Sequence, residues 1–128
     1  MHAPAKRVLI IDDEKDITSS LKLGLAHRGF RVDAYNDPAE ALARYKPGFY
    51  DIILLDIKMP KMNGFEFFRE VKKLDKDAKV GFLTAFEVYM DEFKKLFPEM
   101  EVKGFLRKPI SISDLAAQIE KMTAKQRP

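Results

Sequence analysis

The 128 residues, 46% of them hydrophobic, have the size of one compact domain: residues 1–128, with a core over about 6–124 and short tails. The lack of cysteine excludes a disulfide framework and a thiolate metal site, and the two histidines, His2 and His27, have no metal-pair spacing. The net charge of +3 comes from 23 basic residues intermixed with 20 acids from Lys6 to Arg127, which reads as a solvated surface and not as a nucleic-acid footprint.

The first residues, "MHAPAKRVLIIDDE", hold only a short apolar run before three acids, too short for a signal core or a membrane span, so a cytoplasmic location is expected. That run, Val8 to Ile11, is the first strand candidate. Ile17, Leu21 and Leu25 then fall at i, i+4 and i+8 with Gly29 as a stop signal, which predicts a helix from about Lys15 to Arg28. A second strand over Arg31 to Tyr35 leads into "NDPAEAL", where Asp37 caps, Pro38 suits the first helical position, and Ala41, Leu42 and Tyr45 face inward.

The third strand, Ile52 to Leu55, precedes a helix from about Gly64 to Leu74 with Phe67, Phe68, Val71 and Leu74 as its buried set. After a fourth strand, Val80 to Thr84, comes a helix that places Tyr89, Phe93, Leu96 and Phe97 on one face and stops near Pro98. The fifth strand is expected over Val102 to Leu106. The last helix starts in "SISD", capped by Ser111 or Ser113, and buries Leu115, Ile119 and Met122. Five βα repeats with near-continuous apolar strands predict an α/β domain whose doubly wound parallel sheet is covered on both faces.

In such sheets ligands bind outside the carboxyl ends of the strands, so the residues just past those ends are the ones to read. They are Asp12 and Asp13 after strand one, Asp56 after strand three, Thr84 at the end of strand four, and Lys108-Pro109 after strand five. Singly, each has an ordinary structural role as a cap, turn or strand residue. Together they are harder to explain that way, because two carboxylates about 4 Å apart repel by about 4 kcal/mol at an effective dielectric of 20. Oxygen donors without histidine or cysteine suit Mg²⁺, Lys108 supplies a point charge for an anion, and Thr84 supplies a directed hydrogen bond. This is a phosphoryl site whose protein nucleophile would be a carboxylate.

The ordered set "DDE" (Asp12 to Glu14), "LLDIKMPKMNG" (Leu54 to Gly64), "FLTA" (Phe82 to Ala85) and "FLRKP" (Phe105 to Pro109) resembles the receiver domain of two-component response regulators over nearly the whole chain. The resemblance is to single-domain receivers like the chemotaxis regulator, and it implies a five-stranded, flavodoxin-like (βα)5 sheet with strand order 2-1-3-4-5. It implies Asp56 as phospho-acceptor, Asp13 and Asp56 as direct Mg²⁺ ligands with the backbone carbonyl of Lys58, and Asp12 acting through a bound water. Thr84 and Lys108 would contact the phosphoryl oxygens, Phe105 would change rotamer when Thr84 moves, and the Lys108-Pro109 bond would be cis. The resemblance also puts Lys58 and Phe86 at the positions that tune loss of phosphate in the family, and their bulk predicts slow self-hydrolysis.

The implied donor is a sensor histidine kinase or a histidine phosphotransfer protein. The implied output, to another protein or a homodimer, is the face of the fourth helix, fifth strand and fifth helix, where Lys94, Lys95 and Lys103 lie. No membrane contact, no direct nucleic-acid binding and no enzymatic role beyond self-phosphorylation and dephosphorylation are expected. Two departures from the family pattern stand out: Phe105 lacks the hydroxyl of the frequent tyrosine, and "LFPEMEVKG" replaces a small-residue turn. The alternatives are an N-terminal receiver of a longer DNA-binding regulator, or an aspartyl phosphatase, which would have an acid two residues after its nucleophile where this chain has Lys58. A nucleotide-binding fold would want a glycine-rich loop where "DDEKD" would repel phosphate.

Overall fold

A computed structural model describes residues 4–85 and 89–124. Strands and helices alternate: β1 (Arg7–Ile11), α1 (Lys15–His27), β2 (Arg31–Tyr35), α2 (Pro38–Ala43), β3 (Ile52–Leu55), α3 (Gly64–Leu74), β4 (Val80–Thr84), α4 (Tyr89–Leu96), β5 (Gly104–Arg107) and α5 (Ile112–Thr123). All strand pairs are parallel, in one sheet of order β2-β1-β3-β4-β5. The chain therefore adds strands in one direction, then returns past β1 and continues on the other side.

The pleat divides the apolar residues between two cores. Leu9, Ile11, Ile53 and Leu55 point toward α2, α3 and α4, where they meet Phe67, Phe68, Phe82 and Phe93. Val8, Ile10, Ile52 and Leu54 point the other way, onto Leu21 and Leu25 of α1 and Leu115 and Ile119 of α5. Because β3 and β4 are buried along their whole length, they read as near-continuous apolar runs, with Thr84 the polar end of β4, whereas the edge strands β2 and β5 are partly exposed.

Helix ends follow their local chemistry. Asp37 accepts the Ala39 N–H at 2.9 Å with Pro38 in the first turn, and Ser111, not Ser113, accepts the Asp114 N–H at 3.0 Å. Asn63 and Glu66 form a reciprocal capping box at the start of α3. Helix α1 ends at His27, one residue before the expected Arg28, because Gly29 takes a φ of 92° there. The N–H groups of Gly29 and Phe30 then turn back onto the carbonyls of Ala26 and Leu25.

Four expectations need correction. Leu74 is 52% exposed: it keeps the azimuth of the buried stripe but occupies the last position of α3, in an open groove against Ala39 and Leu42. Leu96 is 48% exposed, because α4 is seated on Phe93 and, one turn on, Phe97, a narrow stripe that leaves the intervening position on its flank. Strand β5 starts at Gly104 and not Val102, since its register sets Gly104 opposite Gly81 and β4 itself begins only at Val80. Tyr45 lies beyond α2, not within it; it packs on the core and donates its hydroxyl to Asp75 at 2.7 Å. The side chain of Tyr89 falls outside the described side chains.

Candidate functional site

Thr84 is the last residue of β4, and Asp12, Asp56 and Lys108 each come directly after a strand and are still tied by their N–H groups to the neighbouring strand or its end. The Asp12 N–H donates to the Tyr35 carbonyl at 3.1 Å, the Asp56 N–H to the Ile11 carbonyl at 2.9 Å, and the Lys108 N–H to the Thr84 carbonyl at 2.9 Å. Backbone positions at this edge are thus set by sheet register. Side chains from β1, β3, β4 and β5 project into one place.

There, one carboxylate oxygen from each of Asp12, Asp13 and Asp56 lies within 4.8 Å of the others. Asp12 and Asp56 are buried and Asp13 is exposed. The Asp12 Oδ1 accepts the Glu14 N–H at 2.9 Å and the Asp56 Oδ1 accepts the Ile57 N–H at 2.9 Å, so two of the three carboxylates are fixed by neighbouring peptides. Lys108, joined to Pro109 by a cis peptide bond as expected, forms an ion pair with Asp12, and its Nζ stands 3.7 Å from the Asp56 Oδ2. It acts as an internal counter-charge between two acids.

One ammonium does not neutralise three carboxylates. Burial, and then repulsion from Asp12, push the Asp56 carboxyl up to about 6 despite the opposing pull of Lys108 and the Ile57 N–H. Beside it opens a cleft of about 460 Å³ lined by Asp13, Asp56, Lys58, Thr84 and Lys108, with room for a hydrated cation and a phosphoryl-sized anion. The donor set is all oxygen and carries a surplus of negative charge, which fits a hard divalent cation such as Mg²⁺.

Gly64 makes this packing possible. A Cβ there would lie 2.3 Å from the Asp56 carbonyl oxygen and 2.8 Å from the Ile57 Cα, so α3 starts hard against the exit of β3. In sequence Gly64 is legible as the start of a helix, but its close approach to β3 is not. Nor is the role of Asn36, whose side-chain amide reaches the β1–α1 connection, because a polar residue before a helix cap carries no distinguishing signal in sequence.

Thr84 is buried at the end of β4, opposite Arg107. Phe105 sits away from the charges, half-buried on β5 and opposite Phe82, on which it stacks with centroids 5.2 Å apart; it meets Phe93 edge-on at 5.8 Å. A second cleft of about 340 Å³ lies beside it, lined by Phe93, Lys94, Met100, Val102 and Phe105. Lys58 is exposed at the rim of the first cleft, and Phe86 lies outside the described residues.

A family model for the response regulator receiver domain matches residues 8–120. The chain belongs to the receiver domains of two-component response regulators. This receiver domain is 33% identical over 113 residues to the transcriptional regulatory protein TrcR of Mycobacterium tuberculosis, covering 88% of this chain and 43% of TrcR. It is 32% identical over 120 residues to the response regulator receiver protein CpdR of Brucella abortus, covering 91% of this chain and 96% of CpdR. The receiver chain thus spans about half the length of several curated relatives it matches and nearly all of another. Among solved structures it resembles the response regulator TrrA of Thermotoga maritima, crystallised with Mg(2+)-BeF, with a TM-score of 0.78, 32% identity, and coverage of 91% of this chain and 98% of that one. Receiver domains are signalling domains. Among the described residues of this one, no helix is long and apolar enough to cross a membrane.

Proposed function

We propose that residues 1–128 form a single receiver domain that accepts a phosphoryl group on Asp56 from the phosphohistidine of a sensor histidine kinase or a histidine phosphotransfer protein. The carrying observation is that the Asp56 carboxylate is buried at the rim with Asp12 and Asp13 within 4.8 Å and the Lys108 Nζ at 3.7 Å. An Asp56 oxygen attacks the phosphorus as the nitrogen–phosphorus bond of the donor breaks; its electron pair stays on the ring nitrogen, which takes up a proton. The Ile57 N–H holds the nucleophile's orientation, and Thr84 and Lys108 receive charge on the phosphoryl oxygens.

Asp13 and Asp56 would hold Mg²⁺ directly with the Lys58 carbonyl, and Asp12 would do so through a water. When bound, the ion neutralises charge between carboxylates and phosphoryl oxygens. That TrrA was crystallised with Mg(2+)-BeF supports this assignment. Output through the face of α4, β5 and α5, to another protein or a second copy, is supported by Phe105, which joins the strand next to Thr84 with the ring of Phe93 on α4.

The matched relatives include proteins of about this length and proteins about twice as long, so a receiver working alone and a receiver at the head of a transcription regulator both fit. The test is incubation with acetyl phosphate and Mg²⁺ followed by mass spectrometry. One acid- and base-labile phosphoryl group on the wild type and none on Asp56→Asn is the expected result; equal labelling of both would overturn the assignment.

A further inference from the structure

We infer that Asn36 is a positioning residue for the cation-binding end of the site, acting through the peptide between Asp12 and Asp13. The inference rests on the proposed Mg²⁺ site. Asn36 directly follows β2, and its Nδ2 donates both to the Asp12 carbonyl oxygen at 2.9 Å and to the Thr18 Oγ1 at 2.8 Å. A side-chain amide has two N–H bonds to give, and here both are used.

The first of these bonds completes a clamp. The Asp12 N–H already donates to the Tyr35 carbonyl at 3.1 Å, so two consecutive residues of β2 and its exit hold Asp12 from both sides, one at its N–H and one at its C=O. The Asp12 carbonyl belongs to the peptide plane that carries the Asp13 nitrogen. Fixing that plane limits the directions in which the Asp13 carboxylate can leave the backbone, and Asp13 is exposed, with no burial of its own to orient it.

The second bond ties the clamp to α1. Thr18 is 3% exposed, and its hydroxyl proton is committed to the Lys15 carbonyl at 3.0 Å, so the lone pair it offers Asn36 is held in place by the first turn of the helix. One amide therefore joins the exit of β2, the β1–α1 connection and α1 at the point where two of the three acids emerge. Neither of the two hydrogen bonds that Asn36 donates goes to an acid side chain, so it would bear on the cation through what it holds. Residues that orient metal ligands in this way change metal affinity by about 10- to 100-fold when removed.

The test is Mg²⁺ binding to the full chain by calorimetry, with thermal midpoints measured without Mg²⁺. Asn36→Ala is expected to weaken Mg²⁺ binding about 10-fold, and to raise by the same factor the Mg²⁺ concentration that half-saturates labelling by acetyl phosphate. Thr18→Val, which removes the acceptor, should weaken binding in the same direction, while Thr18→Ser, which keeps it, should bind like the wild type. Should Asn36→Ala not fold, the Thr18 pair still decides. Wild-type binding with Asn36→Ala unchanged, or with Thr18→Ser as weak as Thr18→Val, would overturn the inference alone. A wild type that binds no Mg²⁺ at all would overturn the proposed site and the inference with it.

Discussion

Replacing Asp56 by Asn should stabilise the protein at neutral pH and leave it unchanged near pH 4. Burial, then repulsion from Asp12, raises this carboxyl from 3.8 to about 6. A shift of about two units at about 1.36 kcal/mol each amounts to about 3 kcal/mol. Between about pH 4 and 6 the native state holds the proton and the unfolded state has lost it, so the native state binds more protons and stability falls as pH rises through that window. Below the window both states are protonated and the cost is absent; above it both are ionised and the cost is present in full. Asn is neutral at every pH and keeps an oxygen for the Ile57 N–H, and Lys108 retains Asp12 as its partner. Urea unfolding from pH 4 to 8 without divalent cations, followed by far-UV circular dichroism since the chain has no tryptophan, reads the difference. The variant should exceed the wild type by about 3 kcal/mol at pH 7, or of order 10 °C in Tm, and match it near pH 4. Mg²⁺ at about 100 times its Kd should recover about 3 kcal/mol in the wild type, and much less in the variant. An Asn variant no more stable than the wild type at pH 7, or a gap that does not change with pH, would refute the reasoning.

Gly64→Ala should destabilise the fold by about 3 kcal/mol, the upper end for overpacking, because the new methyl meets backbone atoms at 2.3 and 2.8 Å; a urea curve within 0.5 kcal/mol of the wild type, the ordinary range for a surface change, would contradict the close approach. Thr84→Ala should still accept phosphate but lose the phosphorylation-dependent change on α4, β5 and α5. Amide exchange with and without a beryllofluoride adduct checks this, and an unaltered response at Lys94 to Leu106 would place the coupling elsewhere. Lys58→Ala and Phe86→Ala should each shorten the lifetime of phospho-Asp56, measured by loss of label after removal of donor; unchanged decay would mean that neither side chain shields the phosphorus.

What could be read in sequence and what could not divide along one line. Strands β1, β3 and β4 were legible because a parallel strand covered on both faces must be apolar at every position, and Asp12, Asp13, Asp56, Thr84 and Lys108 were legible because they stand where such runs end. Periodicity reports the azimuth of a helical residue but not whether a neighbour covers it, so Leu74 and Leu96 passed for core. The start of β5 depends on where β4 offers a partner, and the raised proton affinity of Asp56 depends on distances to Asp12 and Lys108 that only the folded chain defines. Asn36 was invisible for the same reason: its two acceptors come from 24 and 18 positions away.

The charge balance at the rim ties these residues into one device. The three carboxylates and the Lys108 ammonium sum to two negative charges, and Lys108 is shared between Asp12, which is 2% exposed, and Asp56. In the proposed transfer the charge of Asp56 would be consumed as its acyl phosphate forms, and up to about two charges would appear further out, on phosphoryl oxygens in the cleft. Lys108, paired with Asp12, would follow them at the expense of that pair. Removing one partner of a buried ion pair costs about 3–5 kcal/mol. On that reading a divalent cation held near Asp12 would offset this cost, so cation binding would support the movement of Lys108 as well as the chemistry at phosphorus. Asn36, whose amide donates to the Asp12 carbonyl, would keep the peptide of that acid in place through the exchange.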